Sequence, residues 1–519
     1  MILYPVIFAI WVVLGAYAPH LQVGEVQFDD ISRALVLVPA CTLLTWGVLG
    51  YLSKNWSLSA LFVWVNLILL FTYKAQHEFL LEHVPEWMGS AANFVVGLAW
   101  IAVCGVVYRV KDGVEHATKF LNIASGCLLA IPLFTIFAHS SEVSLSLVDP
   151  AAAEPESSMR TEQNYEDNQS RSLPNIIYII LDGYGRDDVL RESYGFDNSG
   201  FLSDLMEKGF YIARNSRANY AQTTLSLAST LNYQYLDPVA QEWGVETRNR
   251  KPLRQLIQHN RLVNVLKKHG YSTIAFSSGI SFTELRESDS YLVPANALNE
   301  WESFFLLQTP VPAFMKTALD YSLYDIHKAR LQYVFENLPK APVTSGPRFV
   351  FAHIVAPHPP FVLGRQDSYW QQANTFSFRD GSEYRYHYDV TSAEYRKRYI
   401  EQVKAINQMM RMALSQLLAD AERPTVIVLQ SDHGPGAELD WEDPNNTSFK
   451  ERLSILNAYH IPDGEDIGLY PSISPVNTFR LILNHYFDES LPLLQDESYF
   501  STMDRPYEFL WVTDQVRTE

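Results

Sequence analysis

The chain has 519 residues, of which 47% are hydrophobic, and a formal net charge of −18. That length exceeds one ordinary domain and implies two or three units. The acidic balance excludes a nucleic-acid binder, which would carry a basic groove or stripe; a solvated acidic surface accounts for most of the charge.

Hydrophobic residues are distributed unevenly. Five stretches contain no Asp, Glu, Lys or Arg: Met1–Gly24, Ala34–Ser53, Asn55–Tyr73, Trp87–Tyr108 and Phe120–Ser141. About 20 residues cross the hydrocarbon of a bilayer, so residues 1–141 are expected to form a transmembrane module of five helices. Lys54 and the group Arg109, Lys111 and Lys119 fall on one side. Glu25, Asp29, Asp30, Glu78, Glu82 and Glu86 fall mostly on the other, with Arg33 and Lys74 among them. The positive-inside rule makes the basic loops cytoplasmic, and an odd number of spans leaves the rest of the chain outside. Ala16-Tyr-Ala18 also resembles a signal-peptide cleavage site, and that alternative exports the domain as well. Cys41, Cys104 and Cys127 all lie in the expected spans. The exported part therefore holds no disulfide, thiolate ligand or cysteine nucleophile.

Residues 142–173 are acidic, small and polar, as in Asn164-Tyr-Glu-Asp-Asn-Gln-Ser170, which suits a solvated linker. Residues 174–519 then alternate short β-branched runs with helical patterns. Strands are expected at Asn175–Leu181, Ser272–Ser277, Phe349–Ile354 and Thr425–Gln430, and helices at Ser199–Lys208, Thr223–Leu231, Leu253–His269 and Ala393–Ala419. In the last of these, Tyr399, Val403, Ile406, Met410, Leu414 and Leu417 form a core-facing stripe. The alternation predicts an α/β domain with a mostly parallel central sheet flanked by helices. Ser281–Pro347, with Pro310, Pro312 and several aromatics, reads as a long excursion near the active face.

The chemistry-bearing residues sit where strands end. Asp182 closes an almost unbroken apolar strand, and Asp432-His433 closes another before Gly434 and Pro435 break the chain. Carboxylate and imidazole groups at the carboxyl edge of an open α/β sheet suit a metal site. The structural alternatives are a turn-forming Asp and simple His-Gly turn chemistry. Thr223 opens a helix, where it caps the backbone or, beside a metal, becomes a nucleophile aided by the helix dipole. His353 ends a third strand and His358 lies among prolines. A buried hydrogen-bonding histidine is the ordinary reading; proton transfer or anion contact is the functional one. Lys450 and Arg452 suit an anionic head group or a solvated helix face, and Arg480 a cap or ion pair.

The order strand–Asp182, Thr223-x-x-Ser226, His353-x4-His358-x-Pro, Ser431-Asp-His-Gly434 resembles the alkaline phosphatase/sulfatase superfamily. Five spans ahead of an exported domain are similar to its membrane-anchored branch, which includes lipoteichoic acid synthases and phosphoethanolamine transferases. The resemblance implies one divalent metal (Zn, Mn or Mg) held by Asp182, Thr223, Asp432 and His433. It implies Thr223 as nucleophile, with Thr224 as the alternative, and His358 and His353 as contacts of the substrate phosphate or leaving group. It further implies a phospho-alcohol, of phosphoethanolamine or phosphoglycerol type, moved from a membrane phospholipid to an envelope glycan or lipid acceptor. The alternatives are a hydrolase of phosphate or sulfate esters and a non-catalytic receptor or scaffold. Thr223-Thr-Leu-Ser-Leu227 departs from the Cys/Ser-x-Pro-x-Arg of formylglycine sulfatases. Lipoteichoic acid synthases carry Glu where Asp182 stands. Asp182-Gly-Tyr-Gly185 is similar to nucleotide pyrophosphatases/phosphodiesterases, whose second-metal ligands have no convincing copy in this chain.

Overall fold

The computed structural model describes residues 1–83, 92–109, 114–141, 173–343, 345–364, 376–419 and 423–516. The expected linker, apart from Leu173, and the start of the fourth span at Trp87 lie outside these. Contacts divide the chain into two units. One comprises Met1–Ser146 together with Leu298–Leu323; the other holds the central sheet and most of the remainder.

The first unit is helical: α1 (Tyr4–Tyr17), α2 (Phe28–Ser53), α3 (Trp56–Phe71), α4 (Tyr73–His83), α5 (Ala92–Arg109) and α6 (Val114–Ser141). Among the described residues three segments are long and apolar enough to cross a membrane: Tyr4–Leu21, Phe28–Ser53 and Ala117–His139. A fourth candidate joins α3 to α4 across a 56° bend, and Asn93–Arg109 is a shorter apolar helix. Their outward surfaces are apolar, with Val36, Leu44, Ile101, Phe134 and Phe137 all exposed, as a lipid-facing surface requires. α2 starts earlier than the charge-free stretch suggested, because Gln27 and Asp30 form a reciprocal capping box at its first turn.

The excursion expected at Ser281–Pro347 is structured. Two of its helices, Glu300–Leu307 and Val311–Leu319, belong to this first unit. Trp301 and Phe305 are buried in the same apolar cluster as Ile31, Val63 and Leu67. Arg33 Nε donates to Glu302 Oε1 at 2.7 Å, and Asn299 Nδ2 donates to the Asp30 carbonyl at 2.9 Å.

The second unit carries a seven-stranded sheet in the order β2-β7-β6-β1-β5-β3-β4. The strands are β1 (Asn175–Leu181), β2 (Phe210–Ile212), β3 (Ser272–Phe276), β4 (Ser290–Leu292), β5 (Arg348–Ile354), β6 (Thr425–Gln430) and β7 (Asn457–His460). All four expected strands are present, and β6, β1, β5, β3 and β4 run parallel, while β7 is antiparallel to both of its neighbours, β6 and β2. β1 lies at the centre with every residue buried, which explains its continuous Ile/Leu character: strands covered on both faces need no polar alternation.

The expected helix Leu253–His269 is two helices, Lys251–Gln258 and Arg261–Lys268. Asn260 breaks it, since its Oδ1 accepts from Val263 N at 2.8 Å and its Nδ2 donates to the Ile257 carbonyl at 2.7 Å. One fully buried side chain thus caps the second helix and terminates the first. Replacing Asn260→Ala is expected to cost about 1–2 kcal/mol, measured as a fall of a few degrees in the melting temperature of the full chain. An unchanged melting temperature would show that the cap is dispensable.

Candidate metal centre

β1 and β6 are adjacent, and their register pairs Ile180 with Gln430. The residues that follow each strand therefore emerge side by side. One ligand atom from each of Asp182, Asp432 and His433 lies within 4.8 Å of the others. His433 Nε2 is 3.4 Å from Asp182 Oδ1 and 3.4 Å from Asp432 Oδ2. All three side chains are buried, yet those two carboxylate oxygens have no hydrogen-bond partner. Buried anionic oxygens without partners are strongly unfavourable unless a cation faces them.

The remaining atoms of the three side chains are fixed. Asp432 Oδ1 accepts from Gly183 N at 3.2 Å. His433 donates from Nδ1 to its neighbour's carbonyl, Gly434 O, at 2.9 Å, which turns the Nε2 lone pair toward the carboxylates. Burial, reinforced by the nearby Arg452 guanidinium, pushes the His433 imidazole down to about 3. It is therefore neutral, the form that ligates metals. Gly434 is required by packing: a Cβ there would meet the Glu451 carbonyl oxygen at 2.1 Å.

Thr223 enters from the helix Thr223–Asn232, of which it is the first residue. Its Oγ1 lies 3.0 Å from His433 Nε2. Thr224 points elsewhere, buried and accepting from Arg250 Nη1 at 3.3 Å. Ser226, one turn on, donates to the Asp432 carbonyl at 2.7 Å. The Thr-x-x-Ser spacing thus places one hydroxyl in the site while the other ties the helix to the metal strand.

His353 and His358 occupy different places. His353 pairs with Ile180 across β1 and β5, so its ring projects on the face that Asp182 also takes, two residues on. Its Nε2 lies 3.1 Å from Asp182 Oδ2 and its Nδ1 2.9 Å from Thr283 Oγ1. Fully buried, with both nitrogens engaged, it braces Asp182 from behind; it has no nitrogen turned toward a substrate phosphate. His358 donates from Nδ1 to the Pro359 carbonyl, and its Nε2 is 3.9 Å from Asp380 Oδ2. Burial works against its charged form, but the charges of Asp182 and Asp380 outweigh it and raise the pKa.

Asp380 carries no recognisable sequence motif and reads as part of an Asp-Gly turn. It is buried, accepting from Arg452 Nη1 at 2.6 Å and from Tyr395 Oη at 2.6 Å. Burial opposes its ionisation, but the His358 and Arg452 charges and the Tyr395 bond hold its carboxyl far below the usual carboxylate range. Arg452 is neither exposed nor directed at a head group. Its Nε donates to the Ala221 carbonyl at 2.9 Å, its Nη1 to the Gly434 carbonyl at 3.1 Å, and it stacks on Trp441. It therefore links the loop before Thr223 to the loop after His433. Lys450 is at the surface, 2.8 Å from Glu192. Arg480 is buried and bonds the Tyr233 and Pro492 carbonyls.

The tips of an open α/β sheet gather two carboxylates and an imidazole beside a hydroxyl at a helix start, a donor set that suits a divalent metal and ester chemistry. Residues 174–462, more than half of the chain, match the Sulfatase family model. The chain belongs to the sulfatase family, whose members act on phosphate or sulfate esters, within the alkaline phosphatase/sulfatase superfamily. Solved structures similar to it include the C-terminal periplasmic domain of EcEptC from Escherichia coli in complex with Zn, at 11% identity and a TM-score of 0.40, covering 67% of this chain and 95% of that one. The integral membrane lipooligosaccharide phosphoethanolamine transferase A of Neisseria meningitidis matches at 12% identity and a TM-score of 0.38, covering 93% and 94%. Phosphonate monoester hydrolase of Agrobacterium radiobacter matches at 12% and 0.39, covering 63% and 80%. No curated protein sequence matches the chain.

The bracing by His353 is testable. His353→Gln is expected to weaken divalent-metal affinity about 10–100-fold, read by competition with a chelator. A purely packing role would lower the melting temperature and leave metal affinity unchanged.

Proposed function

We propose that this protein is a membrane-anchored, metal-dependent phosphoryl-group transferase with Thr223 as its nucleophile. The observation that carries this reading is the position of Thr223 Oγ1 beside His433 Nε2 and the two partnerless carboxylate oxygens of Asp182 and Asp432. These four residues fit a single divalent cation: hard oxygens and one neutral imidazole suit Zn, Mn or Mg. Such a cation, when bound, supplies Lewis-acid stabilisation of phosphate charge and a lowered pKa for the threonine hydroxyl.

The chain's own residues account for the remaining steps. Thr223 stands at the first turn of its helix, where free backbone N–H groups and the positive dipole end favour an incoming phosphate. Its Oγ1 forms a bond to phosphorus, the bond from phosphorus to the lipid glycerol oxygen breaks, and the threonine proton ends on the released diacylglycerol hydroxyl. His358, held by the Pro359 carbonyl and facing Asp380, is the group that contacts the phosphate or hands that proton to the leaving oxygen. An acceptor hydroxyl then attacks the phosphothreonine, and Thr223 recovers its proton. The transferred group is a phospho-alcohol of phosphoethanolamine or phosphoglycerol type, and the acceptor an envelope glycan or lipid.

A lipid donor gives the apolar helices a purpose that a soluble substrate would not. Residues Leu298–Leu323 begin and end in the chain of the sheet unit and pack against Asp30 and Phe71. Asp30 and Phe71 mark one pair of ends of α2 and α3. Lys54, in the turn between α2 and α3, lies at their opposite ends. The positive-inside rule favours Lys54 in the cytoplasm, which supports a reading with the catalytic residues on the extracytoplasmic side of the cytoplasmic membrane.

Intact-mass analysis of the full chain after incubation with phosphatidylethanolamine or phosphatidylglycerol vesicles is expected to find a phospho-alcohol adduct, absent in Thr223→Ala. Donor turnover that releases the phospho-alcohol to water at the same rate with or without an acceptor would replace the transferase with a hydrolase. Asp432→Ala is expected to strip the bound divalent ion from the purified protein, measured by elemental analysis. Retention of the ion would overturn the site assignment.

A further inference from the structure

The helix Val311–Leu319 is inverted relative to what water demands. At about 100° per residue, Val311, Phe314, Met315 and Ala318 share one face and Lys316 lies on the other. A helix on a water-exposed domain turns its apolar side inward. Here the apolar side faces out: Phe314 and Leu319 are each 65% exposed and Val311 36%. Phe304, on the preceding helix, adds a further exposed ring at 43%. Pro312, about 40° from Lys316 around the helix, is the buried member, and Leu319 is outward as the last residue of the helix. Lys316 is turned to Asp320, 2.7 Å away.

The place of this hairpin within its unit identifies the occupant of that face. Trp301 stacks on Phe305, which packs on Phe71 at the last turn of α3. Asn299 and Glu302 bond Asp30 and Arg33 in the first turns of α2. Phe304 meets His20 just past α1. The hairpin is thus seated at one end of three apolar helices. The exposed apolar surface of α2 includes Phe28 at its first position and resumes at Val36, less than two helical turns beyond Asp30, or about 9 Å of rise. The Gln308 carbonyl, in the turn between the two helices, accepts from Lys74 N just past α3 at 3.3 Å, so the second helix starts at that same end of the apolar helices. An aromatic-bearing face with its cation turned away is the pattern of a helix lying in a membrane interface.

We propose that Glu300–Leu319 is a lipid-contacting hairpin: Phe304, Val311, Phe314 and Leu319 enter the interfacial layer of a phospholipid bilayer at the end of the helical unit marked by Asp30 and Phe71. The inference rests on the reading of α1–α6 as membrane helices, and is independent of the reaction assigned to Thr223. The hairpin is inserted between residues that supply the active face, Thr283 before it and His353 and His358 after it. The catalytic chain therefore touches the bilayer through its own sequence, apart from the N-terminal helices. The partner is a phospholipid surface.

The test places a fluorescent probe on single cysteines in the full chain, with Cys41, Cys104 and Cys127 replaced by serine, reconstituted in phosphatidylcholine nanodiscs. Probes are attached at Phe314→Cys, at Leu44→Cys on the outward face of α2, and at Glu207→Cys on the sheet unit. Shallow spin-labelled lipids are expected to quench the Phe314→Cys probe severalfold more than aqueous iodide does, with the reverse at Glu207→Cys. Deep spin-labelled lipids should quench Leu44→Cys. Quenching of Leu44→Cys by lipid but of Phe314→Cys by iodide alone would overturn the hairpin proposal. Iodide quenching at both positions would overturn the membrane reading beneath it.

Discussion

Two buried carboxylate oxygens without partners, Asp182 Oδ1 and Asp432 Oδ2, set the constraint on which the sheet unit is organised. Adjacent parallel strands bring them together, and among the described residues no group donates a hydrogen bond to them. Every other group around them either fixes their second oxygen or points a donor-ready lone pair at them. Gly183 N holds Asp432, His353 braces Asp182, and the Gly434 carbonyl aligns the His433 ring. An arrangement of this kind stores repulsion unless a cation is present, so metal binding and local stability become one equilibrium.

The second charge problem is solved differently. Arg452 is among the largest fully buried side chains, and its charge is met by Asp380, by two carbonyls and by the face of Trp441. A buried ion pair adds little net stability but is very costly to break from one side. Its evident work is positional: Arg452 joins the Ala221 and Gly434 backbones, which frame Thr223 and His433. Asp380 also faces His358, so one carboxylate connects the scaffold to the histidine above the site.

Much of this could be read from residue types alone. β1, β5 and β6 were legible because continuous apolar runs have few alternatives once they end on a ligand. β2, β4 and β7 were not: Asn457-Ala-Tyr-His460 is too short and polar to announce itself, and becomes a strand by pairing with β6 and β2. Asp182, Thr223, Asp432 and His433 carry motif signals at strand or helix ends. Asp380 has none, since its importance comes from Arg452 and His358, distant in sequence. Arg452 sits in Lys450-Glu-Arg452, which looks like solvated surface until its counter-ion is found. His353 closes a strand and so stands among the candidate residues, but only strand register reveals that it lies behind the Asp182 carboxylate.

The return of the chain to the helical unit has a consequence for synthesis. Trp301 and Phe305 complete an apolar cluster whose other members come from the first 71 residues, with Leu128, Leu129 and Ile136 packed at its edge. That cluster cannot close when α6 leaves the ribosome; it waits until the β1 and β3 segments and the Thr223 helix have also emerged. During that interval the cluster lacks the two aromatic rings of Trp301 and Phe305, and the growing sheet lacks β5 and β6. Assembly of the N-terminal helices is thereby timed by the progress of a domain made after them, contrary to the usual order in which an earlier unit folds first.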